Sequence, residues 1–253
     1  MNGYVVTDRG QIRTTNEDAG GIFYNEANQL LAVVADGMGG HQAGEVASQL
    51  AVTFIEEKWT QEQEITTPLD AEEWVAAALH EMNKVIYTTS LEKEAYEGMG
   101  TTVVMTICTP EFVTIAHIGD SRCYMLNDEK LELLTNDHSL VNELIRTGQI
   151  SEIDAEQHPR KNVLVRALGT EPTINVDIQT LIWEVNDVIL LCSDGLTNKV
   201  TNEEIESHLR TDKTLREKAI QLRNVANERG GEDNITIAIV QNTTQHEVGD
   251  LSC

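Results

Sequence analysis

Leu30-Leu31-Ala32-Val33-Val34-Ala35-Asp36-Gly37-Met38-Gly39-Gly40-His41 decides the reading of this chain. Its first six residues are apolar without alternation, as expected of a short strand covered on both faces. Asp-Gly taken alone is a hairpin signal. Here, however, the next element is a helix from about Ala43 to Trp59, in which Val46, Leu50 and Phe54 share one face. The acidic residue therefore closes a buried strand and does not turn it back on itself. The same arrangement recurs. Ile115–Ile118 runs into Gly119-Asp120, Ile189–Cys192 runs into Ser193-Asp194-Gly195, and Gly230-Gly231-Glu232-Asp233-Asn234 leads into a strand at Ile235–Val240. Each Asp lies beside, or within two residues of, a glycine, which permits close backbone approach.

Working outward, a second helix is expected from about Ala71 to Leu91, with Trp74, Ala78, Met82 and Val85 as its apolar stripe. Strands follow at Thr101–Cys108 and Phe112–Ile118. Ser121–Leu126 and Lys130–Leu134 read as a hairpin around Asn127-Asp128. A polar stretch from Asp137 to Leu168 holds a short helix, Leu140–Arg146, stopped by Gly148. Strands resume at Asn175–Leu181 and Val188–Cys192, and helices at Asn202–Leu209 and Leu215–Glu228. A helix pair among the early strands and another among the late ones predict an α+β fold, with helices outside a sandwich of antiparallel sheets. With no repeat or linker in its 253 residues, the chain is expected to form one domain over 1–240, followed by a polar, frayed tail at 241–253.

Eighteen basic residues against 42 acidic ones give a net charge of −24. That balance argues against a nucleic-acid surface, which needs a basic stripe, and against binding to an anionic membrane face. Cys108, Cys123, Cys192 and Cys253 form neither a zinc spacing nor a disulfide framework. The first three sit among apolar residues, as small core side chains do. Met1–Gly10 lacks an apolar segment, and no apolar run is long enough to span a bilayer, so a cytoplasmic protein is expected.

Asp residues at the ends of neighbouring strands would offer an all-oxygen ligand set suited to hard divalent cations. Like charges gathered in that way need cations to offset them. Without a histidine-rich set, zinc is the poorer match. Calcium-loop spacing of the Asp-x-Asp-x-Asp-Gly kind is absent. Near the N-terminus, Arg13 stands close to Glu17 and Asp18. It is either one half of a surface ion pair or a fork for a substrate phosphate.

In order along the chain, the motifs are Thr7-Asp8-Arg9-Gly10 with Arg13 and Asn16-Glu17-Asp18; Asp36–His41; Gly98-Met99-Gly100-Thr101-Thr102; His117–Arg122; Asp137-His138-Ser139; Ser193–Leu196; and Gly231–Asn234. Together they resemble the metal-dependent PPM family of serine/threonine protein phosphatases (type 2C), over about residues 4 to 240, and most closely its single-domain bacterial members of the PrpC or Stp kind. The resemblance implies a four-layer αββα sandwich with a flap at about 137–168. It implies that Asp36, the Gly37 carbonyl, Asp194 and Asp233 hold two Mn2+ or Mg2+ ions, and that Asp120 with Asp194 holds a third. It assigns the substrate phosphate to Arg13 and the orientation of a metal-held water to Asp18. The implied partners are phosphoproteins and a cognate Ser/Thr kinase, and the implied state is a monomer. A binding-only relative and a phosphatase of anti-sigma antagonists are the rival readings within the fold. One departure stands out. Eukaryotic members place a histidine, the proposed general acid, where this chain has Met38, and a thioether has no proton to give. His41 is near in sequence and is equally well read as a polar residue opening a helix.

Overall fold

The computed structural model describes residues 1–39, 42–156 and 158–243; His41 and the chain beyond Thr243 lie outside the described residues. Eleven strands form two antiparallel sheets. One sheet has the order β1 (Asn2–Asp8), β11 (Ile235–Gln241), β10 (Val188–Cys192), β7 (Arg122–Leu126), β8 (Leu131–Leu133). The other has the order β2 (Asp18–Tyr24), β3 (Leu30–Met38), β5 (Val103–Cys108), β6 (Phe112–Ile118), β9 (Asp177–Ile182), with β4 (Gly100–Thr101) also paired to β3. Helices α1 (Ala43–Trp59) and α2 (Pro68–Ser90) cover the second sheet. Two further helices, α6 (Asn202–Leu209) and α7 (Leu215–Glu228), cover the first. Between the sheets, Leu30, Ala32, Val34, Val104 and Val113 meet Cys123, Ile189, Leu191, Ala238 and Val240. The expected αββα sandwich is therefore present, with three apolar layers separating its four layers of structure.

Several boundaries differ from the sequence reading, each for a local reason. Strand β3 does not stop at Ala35. The register that pairs Val34 with Val104 carries on to Gly37↔Thr101 and Met38↔Gly100, so Asp36 lies inside the strand. Helix α2 starts earlier than Ala71, because Thr67 and Asp70 form a reciprocal capping box with Pro68 in the first turn. Strand β2 escapes a pattern reading because Gly20-Gly21 interrupts it. A Cβ on Gly20 would lie 2.9 Å from Thr236 Cγ2, so the glycine lets the two sheets approach. The domain extends past 240. Gln241 pairs with Asn2 and Val188, and the buried Asn242 exchanges backbone hydrogen bonds with the Asn186-Asp187 turn.

The long connection between β8 and β9 holds α3 (Leu140–Arg146) and α4 (Glu152–Glu156). It is tied down at Ser139↔Leu164 and Thr101↔Leu168. Asn83 of α2, fully buried, takes the Gly169 N–H at 2.8 Å and donates to the Glu171 carbonyl at 2.9 Å, which fixes the outgoing limb of this connection.

Trp59 anchors the outer layer. It is fully buried, donates to the Gln29 carbonyl at 3.3 Å, and meets Trp74 edge-on with centroids 5.1 Å apart. Trp59→Ala is expected to destabilise the fold by about 3–5 kcal/mol in urea titration, the usual loss for a large aromatic in a packed core. A loss below about 1 kcal/mol would show that α1 is not a packed part of the fold.

Candidate active site

Strands β2 and β3 set Asp18 directly opposite Asp36. Directly opposed like charges destabilise a sheet, so this pair marks a site. Asp194 opens the short helix α5 (Asp194–Thr197) after β10, Asp233 precedes β11, and Asp120 follows β6. Asp36, Gly37, Asp120, Asp194 and Asp233 line one cavity of about 520 Å³ together with Arg13, Glu17 and Met38. Its other wall is Asn162 and Leu164–Ala167 of the long β8–β9 connection. The structure thus brings together six of the seven residues singled out in the sequence. Asp18 sits behind the wall and not on it. It is buried, with Oδ2 accepting from Ser193 Oγ at 2.7 Å.

The backbone holds these carboxylates closely. The Asp36 N–H donates to Thr102 Oγ1 at 3.0 Å, and its carbonyl accepts from the Thr102 N–H at 2.8 Å and from Thr101 Oγ1 at 2.9 Å. Thr102 Oγ1 also shares a 2.7 Å bond with Ser121, tying Asp36 to the Asp120 turn. Gly37 has to be a glycine: a Cβ there would stand 2.0 Å from the Gly44 carbonyl oxygen. Gly195 is equally constrained, with the Asn234 oxygen 1.9 Å from a would-be Cβ.

Several residues with supporting roles were quoted in the motifs without a part to play. Asn234, buried, donates to the Arg9 and Thr15 carbonyls at 2.8 and 3.0 Å and accepts the Glu17 N–H at 2.7 Å. It staples the Arg13 loop to the Asp233 turn. Ser193 accepts the Thr236 N–H while holding Asp18. Asn198, one helical turn after Asp194, donates to Asp194 Oδ2 at 3.0 Å. Glu17 reaches the cavity itself, and its carbonyl accepts the Gly37 N–H at 3.0 Å.

Burial raises the carboxyls of Asp18, Asp36, Asp120 and Asp194, and repulsion from neighbouring carboxylates adds to it. Asp18 is pushed up to about 7, Asp120 to about 7 by burial and then Asp194, and Asp194 to about 6 by burial and then Asp233. Asp36 is raised well above the usual range, first by burial and then by Asp18 and Asp194. Arg13 offsets part of this, with Nη2 donating to Asp233 Oδ2 at 2.9 Å. Arg166, the other guanidinium on the wall, is engaged with Asp177 at 3.0 Å. Two buried oxygens, Asp18 Oδ1 and Asp194 Oδ1, have no hydrogen-bond partner. Oxygen donors, orphaned lone pairs and uncompensated negative charge fit hard divalent cations. They do not fit zinc held by nitrogen and sulfur. Thiol chemistry has no place here, because Cys108, Cys123 and Cys192 are buried and held protonated by burial.

A sandwich with an acidic, oxygen-only centre at the mouth between its sheets belongs to the class of divalent-cation hydrolytic sites. The protein phosphatase 2C family profile matches residues 9–233, and the chain belongs to that family. It is 47% identical over 246 residues to the serine/threonine phosphatase stp of Listeria monocytogenes serotype 4b, covering 97% of this chain and 98% of that one. Its fold superposes on the serine/threonine phosphatase Stp1 of Staphylococcus aureus with a TM-score of 0.90 at 38% identity, covering 94% of both chains. It superposes on the catalytic domain of the phosphatase PstP in complex with two manganese ions with a TM-score of 0.83 at 31% identity, covering 95% of this chain and 97% of that one.

The raised carboxyls have a consequence for the metal-free protein. In the unfolded chain, Asp releases its proton near about pH 3.9, whereas the folded cluster keeps protons until about 6 to 7. Across that window the folded state binds more protons, so stability falls as pH rises. The melting temperature of chelated protein is expected to drop between pH 5 and pH 8, and Mn2+ is expected to abolish the drop. A rise over that range after chelation would contradict the cluster's titration.

Proposed function

We propose that the chain is a metal-dependent serine/threonine protein phosphatase that hydrolyses phosphoserine and phosphothreonine in phosphoproteins and opposes a Ser/Thr protein kinase. The observation that carries this reading is the convergence of Asp36, Asp120, Asp194 and Asp233 on one open cavity with Arg13 at its side. Asp36, the Gly37 carbonyl, Asp194 and Asp233 would hold two Mn2+ or Mg2+ ions, and Asp120 with Asp194 would hold a third. When bound, such ions supply the Lewis acidity that makes water a nucleophile at neutral pH and neutralise charge on the phosphoryl oxygens.

The chain's own groups do the positioning. Arg13 is half exposed, and its fork is free to exchange Asp233 for two oxygens of a phosphate monoester. Asp18, held by Ser193 through Oδ2, keeps an unpartnered Oδ1 and would orient the attacking water. Asn234 and Glu17 keep Arg13 in register with the carboxylates. Met38 lines the cavity but donates no proton, so the leaving-group proton comes from another source. The Asn162–Ala167 wall forms the side on which the polypeptide substrate rests, and the whole acts as a monomer. Among the described residues no helix is long and apolar enough to cross a membrane.

The direct test is release of phosphate from a phosphothreonine peptide. Turnover is expected to vanish after chelation and to return with Mn2+ or Mg2+. Ca2+, which prefers bonds of about 2.3–2.6 Å over the roughly 2.0–2.1 Å of Mg2+, is expected to restore it poorly. Full activity after exhaustive chelation would overturn the reading. Arg13→Ala is expected to raise KM for the phosphopeptide about tenfold or more, consistent with a lost charge-assisted contact of roughly 1.5–3 kcal/mol. Lys at the same position should restore only part, since it has no planar fork. An unchanged KM in Arg13→Ala would reduce Arg13 to a surface ion pair.

A further inference from the structure

His117, His138 and Asp177 form a cluster behind the Asp120 turn, with ligand atoms within 4.8 Å of one another. The histidines are buried and stacked, with centroids 4.7 Å apart. The hydrogen bonds decide what this cluster is. The Gly119 N–H donates to His138 Nδ1 at 3.1 Å, so that nitrogen holds a lone pair and the ring's proton sits on Nε2. His117 Nε2 lies 3.0 Å from the Asn136 carbonyl, which only accepts, so it too carries the proton. Asp177 is already engaged by Arg166. A metal would need the His138 Nε2 lone pair that this tautomer lacks, and that nitrogen is buried without a hydrogen-bond partner, so the bond that fixes the ring is the one at Nδ1.

His138 exchanges two bonds with Gly119, because its own N–H donates to the Gly119 carbonyl at 2.9 Å. Gly119 sits at φ +108°, where a Cβ would strike Thr102, so the turn is reached only by glycine and is fixed from outside by His138. The next residue is Asp120. On its other side, His138 Nε2 stands 3.3 Å from Asp177 Oδ2, while Asp177 Oδ1 accepts from Arg166 Nη1 at 3.0 Å. Arg166 lines the cavity opposite the carboxylates.

We propose that His138 is a positioning residue, whose Nδ1 clamps the Gly119–Asp120 turn from outside the cavity. The proposal rests on the reading of Asp120 as a cation ligand. Two variants test the clamp: an Asn side chain places its amide oxygen near the Nδ1 position, and a Gln side chain carries its amide farther out, away from the Gly119 N–H.

The tautomer is tested in the metal-free wild-type protein. A through-hydrogen-bond 15N–15N coupling between Gly119 N and His138 Nδ1, with Nε2 protonated, is expected. Absence of that coupling, or a proton on Nδ1, would overturn the proposal whether or not any variant folds. Calorimetry with Mn2+ then tests the clamp. His138→Gln is expected to weaken the weakest site by about 10–100-fold and leave the tighter ions in place, as loss of an outer partner does. His138→Asn is expected to restore that site. Combined with Asp120→Ala, His138→Gln should weaken Mn2+ binding no further, since both act through one ligand. Equal losses in the Asn and Gln variants, or additive losses in the double variant, would overturn the clamp. Asp120→Ala with undiminished Mn2+ binding would instead overturn the ligand reading of Asp120, and the coupling to it with that.

Discussion

Asp18 and Asp36 face each other across two buried strands, and the rest of the site is arranged around that repulsion. A sheet seldom tolerates opposed carboxylates, and here Asp194, Asp233 and Asp120 add further negative charge. The fold concentrates charge that water no longer screens. Protons relieve part of it, which is why Asp18, Asp36, Asp120 and Asp194 are raised, and Arg13 relieves another part. Divalent cations would relieve the remainder in the one place where their Lewis acidity is useful. Stability is given up at the centre to create affinity there, and the three apolar layers supply the stability that makes this tolerable.

The frame is rigid where it has to be. Both sheets contribute carboxylates, Asp18 and Asp36 from within paired strands and Asp120, Asp194 and Asp233 from the short segments that flank strands. Glycines at 37 and 195 let backbone meet backbone at distances no other residue allows. Ser193, Thr102, Asn234 and His138 are small polar clamps, each satisfying backbone groups while steering a neighbouring acid. The wall from Asn162 to Ala167 is built differently. It is held at Leu164 and Leu168, and between them Val165 is exposed, Arg166 half-exposed and Ala167 buried.

Much of this was legible in the sequence because the acids sit where apolar runs end. Leu30–Ala35, Ile115–Ile118 and Ile189–Cys192 announce their strands, and Asp36, Asp120 and Asp194 follow within two residues. Strand β2 was hidden by Gly20-Gly21, and the role of Gly20 in letting the sheets approach is visible only once Thr236 lies above it. The clamps were hidden for another reason. Ser193 holds Asp18 across 175 residues, and Asn234 holds Glu17 across 217, and no local pattern encodes such a pairing. Asp18 shows the limit of reading by adjacency: Glu17, in the loop before β2, reaches the cavity, whereas Asp18, the first residue of β2, is buried and does not line it.

The central claim is that the buried carboxylates form one cation centre. Anomalous scattering from crystals equilibrated with Mn2+ tests it most directly. The account predicts two strong peaks between Asp36, Asp194 and Asp233, and a weaker one beside Asp120. Peaks at the His117–His138–Asp177 cluster with none among the aspartates, or no ordered Mn2+ at all, would contradict it.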